Sequence, residues 1–174
     1  MNVEYSNKWV SVLSEGNGED KYYYVHQKNK ICILPYIYEE GDLKIVTLLE
    51  PISIWDSTRK KQLTCVQGTI DEGENPLETA PRELMEETGF DVPLEGNEER
   101  YDYLGYFNFS KGNDSHRHLF LCDVTGSKRK KKTTDGSEFE KKTKIMISDS
   151  EPLKLSTDLT LNYLYSKLKE KLNL

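Results

Sequence analysis

GTIDEGENPLETAPRELMEETGF, residues 68 to 90, is the stretch that decides how this chain is read. Gly68, Glu74, Arg82, Glu83, Glu86, Glu87 and Gly89 stand in it at fixed offsets: Gly, five residues, Glu, seven residues, then Arg-Glu-Leu-x-Glu-Glu-x-Gly-Phe. At average residue frequencies these identities coincide at a given start with odds of roughly one in 10⁸. Glu83, Glu86 and Glu87 stand at i, i+3 and i+4, so a helix puts them on one face. Three carboxylates on neighbouring turns repel one another, and a hard divalent cation with a preference for oxygen ligands relieves that repulsion. A solvated acidic helix face is the ordinary fate of a Glu cluster; the surrounding pattern favours a metal.

The flanking residues predict the helix itself. Asn75 reads as the N-cap, Pro76 as the first helical residue and Glu78 as the return partner of a capping box, with Gly89 as the stop. Gly68 to Gly73 is then a loop feeding the helix, with Gly68 letting the backbone pass close to metal and phosphates. Arg82, always charged and forked, is placed to bridge to Glu74 and to hold Glu83 in register. Pro81 interrupts this pattern. In a helix interior it costs about 3 kcal/mol, so the sequence predicts a kink, or a helix that settles only from about Pro81 onward.

Outward from this stretch the chain reads as strands. Trp9 to Leu13 and Tyr22 to Val25 form a predicted hairpin around SEGNGED, and Ile31 to Tyr38 with Leu43 to Leu49 a second one around Glu39-Glu40-Gly41-Asp42. Pro35 suggests an edge strand or a bulge. Leu63 to Val66 delivers the chain into the Gly68 loop, and Tyr101 to Phe109, His118 to Val124 and Thr143 to Ser148 complete the series. Leu161, Leu164, Leu168 and Leu172 recur at helical spacing, with Ser156 and Asp158 as candidate caps. Hairpins with one central and one terminal helix imply a layered α+β domain.

The chain has 174 residues, 36% hydrophobic and 31% charged, with a net charge of −6. That length suits one domain with a small appendage. No apolar run is long enough to span a membrane, and MNVEYSNKWV lacks the basic start and apolar core of a signal peptide. Cys32, Cys65 and Cys122 sit singly in apolar runs and read as buried thiols in a reducing cytoplasmic protein. The acidic balance gives no general attraction to nucleic acid. The KRKKK run at Lys128 to Lys132, inside the charged stretch Gly126 to Lys144, reads as a solvated loop rather than a nucleic-acid patch.

The 68–90 pattern resembles the Nudix box, the signature of hydrolases that split diphosphates linked to a nucleoside or similar group. The family usually has a small, helix-friendly residue where this chain has Pro81. The resemblance implies a Nudix α/β/α sandwich with a mixed β-sheet, the box as a loop and helix, and a C-terminal helix. It implies a small N-terminal β hairpin region over residues 1–28 and a Nudix hydrolase domain over 29–174.

More weakly, the order of features is similar to the ADP-ribose pyrophosphatase branch: Lys8-Trp9-Val10 as an N-terminal strand, Ser110-Lys111-Gly112 as a loop, and Glu138-Phe139-Glu140 ahead of the last strand. That likeness implies a Mg²⁺-dependent pyrophosphohydrolase, with Mn²⁺ as a substitute, cutting ADP-ribose or a nucleotide sugar to release a nucleoside monophosphate. It further implies a homodimer formed by exchange of N-terminal strands. Gln67 (through its carbonyl), Glu83, Glu86, Glu87 and Glu140 would bind metal. Glu83 or Glu138 would serve as base, with Arg82 and Glu74 supporting, and Trp9, Tyr24 and Arg59 would meet the substrate. Two departures stand out: Glu50 occupies a place where the branch has an arginine, leaving Arg59, Lys60 and Lys61 as candidate replacements, and Thr64-Cys65-Val66-Gln67 replaces a Glu-led approach to the box. The alternatives are a hydrolase of triphosphates, dinucleoside polyphosphates or RNA caps, and a nucleotide-sensing Nudix-fold binding module.

Overall fold

A computed structural model describes residues 1–51, 61–131, 142–149, 154 and 156–174, the side chain of Phe109 apart. Its spine is strand β4 (Lys30–Glu39), in which Ile31 to Ile37 are buried without a break. An uninterrupted buried run requires cover on both faces of the sheet. Helix α1 (Pro76–Thr88) covers one face, packing Ala80 and Leu84 against Ile31, Ile33 and Ile37. Helix α2 (Leu159–Leu172) covers the other, setting Leu161, Leu164 and Leu168 against Cys32, Leu34 and Tyr36. The expected α+β sandwich, with a helix on each face, is what the chain adopts. The three cysteines are buried and unbridged.

The sheet is mixed. Strand β4 runs parallel to β10 (Asn113–Asp123), and antiparallel to β5 (Asp42–Pro51) and β7 (Val66–Thr69). Pro35 therefore lies in a central strand, not at an edge. It is tolerated because β4 changes partner there, pairing with β7 over Lys30 to Ile33 and with β5 over Tyr36 to Glu39. The expected single strand at Leu63 to Val66 is two: β6 (Lys61–Thr64) pairs with β5, and after Cys65 the chain crosses to β7 beside β4. That crossing delivers Gly68 to the middle of the sheet.

Ahead of the spine, β1 (Asn2–Ser6), β2 (Ser11–Glu15) and β3 (Tyr22–His26) form an antiparallel trio, and β3 joins β10 at Val25 and Asn113. Strand β1 was not foreseen. The predicted Trp9 strand start is also wrong, because Lys8 and Trp9 lie in the β1–β2 turn. The Asn7 side-chain oxygen accepts the N–H groups of Trp9 (2.8 Å) and Val10 (2.9 Å), bending the chain there.

Helix α1 is continuous from Pro76, so it does not wait for Pro81. Both bonds of the capping box form, Glu78 N to Asn75 Oδ1 (2.9 Å) and Asn75 N to Glu78 Oε2 (3.2 Å), and they fix the first turn ahead of the proline. Gly89 ends the helix at φ 80°, its N–H on the Met85 carbonyl. Strand β8 (Phe90–Asp91) follows and pairs with β11 (Lys128–Arg129). The start of the basic run is therefore structural and not merely solvated. Arg129 Nε donates to the Thr88 carbonyl (3.2 Å), Lys130 N donates to the Gly89 carbonyl (2.8 Å), and Lys130 Nζ pairs with Asp91 (2.6 Å). Helix α1 has no basic residue in its own last turn, and Arg129 supplies the cation that its C-terminal dipole favours.

Strand β9 (Tyr101–Ser110) turns through Lys111 and Gly112 into β10, and β12 (Lys144–Ser148) lies along β5. Of the two candidate caps for α2, Asp158 accepts the Leu161 N–H (3.0 Å), while the Ser156 hydroxyl donates to the Leu63 carbonyl. No described helix is long and apolar enough to cross a membrane.

Candidate active site

The guanidinium of Arg82 sits at the centre of the box. Its Nε and Nη2 grip both oxygens of Glu74 (3.1 and 2.8 Å), its Nη1 reaches Glu83 (2.8 Å) and Glu86 (3.3 Å), and Nη2 also donates to the Thr69 carbonyl (3.2 Å). The loop is thus tied to the helix through one side chain, as the spacing suggested. Glu74 also accepts from the Thr79 hydroxyl (3.0 Å) and the Asp71 N–H (3.3 Å). The bond from Arg82, more than any other contact, holds its carboxyl down at about 2.

Glu83 is the buried member of the acidic face, 9% exposed. Burial raises its pKa to about 7; Arg82 opposes that rise, and the neighbouring Glu86 and Glu87 add to it. Gly68 is what admits it. A Cβ at position 68 would overlap the carboxyl carbon of Glu83. Gly68 is therefore required for the close approach of Glu83. Glu86 and Glu87 are half-buried on the same helix.

Among the described residues no group of three His, Cys, Asp or Glu side chains is gathered closely enough to hold a metal ion, since Arg82 draws Glu83 and Glu86 to itself. The donor set nevertheless suits a hard cation. It consists of carboxylate oxygens on one helix face, and burial beside two like charges holds the most buried of them above the ordinary carboxylate range, an effect that a cation would offset. Arg59, Lys60, Glu138 and Glu140 lie outside the described residues.

Positive charge near the box comes from places the sequence reading passed over. Lys30 and Arg117 are cross-strand partners of β4 and β10, and Arg117 Nη1 donates to the Gln67 side chain (2.8 Å). Lys30 is near enough to feel the charges of Glu83 and Glu50. No local signal marks Arg117, which lies one residue ahead of the predicted strand His118 to Val124; its pairing with Lys30 depends on strand register. Lys61, one of the foreseen replacements, turns to the Lys142 carbonyl (3.3 Å).

Trp9 and Tyr24 are not brought together. Trp9 borders a cavity of about 360 Å³ shared with Lys30, Thr69 and Asp71. Tyr24 borders another, of about 500 Å³, with Tyr22, Ser110 and Lys111.

A family model for the NUDIX domain matches residues 36–146, the span that holds the box, Arg117 and most of the sheet. The chain belongs to the Nudix family. No curated protein matches it. As a Nudix protein it is a hydrolase of phosphoanhydride bonds in nucleoside diphosphate derivatives, a class that generally uses divalent metals such as Mg²⁺.

Proposed function

We propose that this Nudix hydrolase is a Mg²⁺-dependent pyrophosphohydrolase that cuts ADP-ribose or a nucleotide sugar and releases a nucleoside monophosphate. The observation that supports it most is the Arg82 hub, which keeps Glu74, Glu83 and Glu86 ordered around the Gly68 approach. In this reading Glu83, Glu86 and Glu87, with the Gln67 carbonyl and Glu140, hold the cation. The cation supplies charge against the diphosphate and its leaving group. Phosphoryl transfer depends mainly on positioning and electrostatics, which suits a site built of carboxylates around one arginine.

Glu83 or Glu138 takes the proton of the attacking water. Arg82 and Glu74 are positioning residues that hold Glu83 in place. Trp9 offers an exposed ring face to the nucleoside. The active form is a homodimer joined through the N-terminal strands. Strand β1 is exposed along its length and, among the described residues, pairs on one edge only.

The deciding experiment is a panel of ADP-ribose, nucleotide sugars, dinucleoside polyphosphates, triphosphates and capped RNA, incubated with Mg²⁺ and read by product identity. AMP and ribose 5-phosphate from ADP-ribose, or the matching pair from a nucleotide sugar, is the expected result. Cleavage confined to triphosphates or caps would overturn the assignment.

A further inference from the structure

Thr69 and Asp71 of the box loop line a cavity of about 360 Å³ whose other walls include Lys8, Trp9, Lys28 and Lys30. That volume is within the range of small-ligand pockets, roughly 300–1,000 Å³. Three lysines therefore meet one carboxylate in a chain whose overall charge is −6. Lys28 is matched by Asp71 (3.1 Å). Lys8 lies over the Trp9 ring, 4.5 Å from its centre.

Lys30 is the informative one. It is half-buried, stands beside Arg117, and among the described residues its side chain forms no hydrogen bond or ion pair. Burial and the neighbouring guanidinium push its ammonium below the ordinary lysine range. The charges of Glu83 and Glu50 oppose that shift only in part, so a partly desolvated cation beside a second cation favours an anion in the cavity.

We infer that this cavity is a phosphomonoester subsite, and that the substrate is a nucleoside diphosphate derivative with a further phosphate on its nucleoside. The inference rests on the hydrolase reading, which puts the diphosphate at the box carboxylates. Among the described residues Lys8 and Lys30 have no carboxylate partner, and both share their cavity with Trp9. A phosphomonoester brings about −1.5 to −2 charges, the number those two lysines can match. Trp9 supplies the adjoining ring face, so the phosphate is carried on a nucleoside and not on a bare sugar.

The test uses the full-length, metal-free protein with Trp55→Phe, which leaves Trp9 as the only indole. Its fluorescence is followed during titration with AMP, adenosine 2′,5′-bisphosphate and adenosine 3′,5′-bisphosphate. At least one bisphosphate is expected to bind about 10-fold or more tightly than AMP. Lys30→Gln and Lys8→Gln should each remove most of that margin, and Lys167→Gln, on the outer face of α2, should keep it. Equal affinity for the three probes, or a margin intact in both pocket variants, overturns the inference. Circular dichroism checks folding, and if Lys30→Gln is unfolded the exposed Lys8→Gln decides. No turnover is measured, so failure to hydrolyse diphosphates with Mg²⁺ would remove the proposed activity and leave this binding result standing.

Discussion

Glu83 is 9% exposed and shares its helix face with two other carboxylates, a combination that makes its ionisation unfavourable in the folded chain. Its pKa is raised from 4.5 to about 7, so its contribution to stability is full below about pH 4.5 and is lost as pH rises through about 7. Glu74 acts with the opposite sign. Held at about 2, it contributes stability above about pH 4.5 that is lost as pH falls towards 2. Urea denaturation of metal-free protein across this range should show both slopes, with Mg²⁺ flattening the upper one. Glu83→Gln should then stabilise the metal-free fold at pH 8 by on the order of 1–3 kcal/mol while lowering turnover by roughly 100-fold or more. A less stable variant would contradict the account. Gly68→Ala tests the other half of the same contact. Its methyl group must displace the Glu83 carboxyl, at a cost of about 1–3 kcal/mol and a loss of turnover of roughly 10- to 100-fold in an otherwise folded protein. The acidic face and the Arg82–Glu74 bridge were legible from spacing alone, because both partners lie within the box. The reason for Gly68 was not, because no local rule says which side chain comes to rest against a glycine.

Helix α1 shows how one element can carry a misplaced residue if its ends are well made. The capping box and Pro76 fix the first turn, and Gly89 with the Arg129 strand fixes the last, so Pro81 is absorbed between them. Pro81→Ala restores a helical hydrogen bond and should raise the stability by about 1–2 kcal/mol, less than the full interior penalty because alanine also gives the unfolded chain more freedom. Thermal melts of the two proteins measure it, and an unchanged or lower Tm would mean that the proline is not strained. The caps themselves were readable, since Asn, Pro, Glu and Gly act through neighbours three or four positions away. Strand limits were less so. Asn7 steals Trp9 and Val10 from a strand through side-chain bonds, and Pro35 is harmless in the centre of a sheet only because its strand trades one partner for another there.

Across the whole molecule, the layered architecture followed from the two apolar periodicities, but the pairing of Lys30 with Arg117 could not. It depends on the register of two parallel strands far apart in sequence, which gives Lys30 its cationic neighbour beside the box. The proposed homodimer is a statement at this scale too. Sedimentation equilibrium should give twice the chain mass, and Val3→Lys, at a position 66% exposed on β1, should shift the equilibrium towards monomer by about 10-fold or more. A monomeric wild type would remove the dimer. The parallel contact between β4 and β10 also sets a schedule. Arg117 and Cys32 meet although they are 85 positions apart, and β4 has little to hold its inner edge until β10 has been made. On the ribosome, therefore, the box is synthesised well before the sheet that supports it can close. For that interval the most apolar strand of the chain waits unpaired on one side, the period in which a nascent protein of this topology most needs a chaperone's shelter.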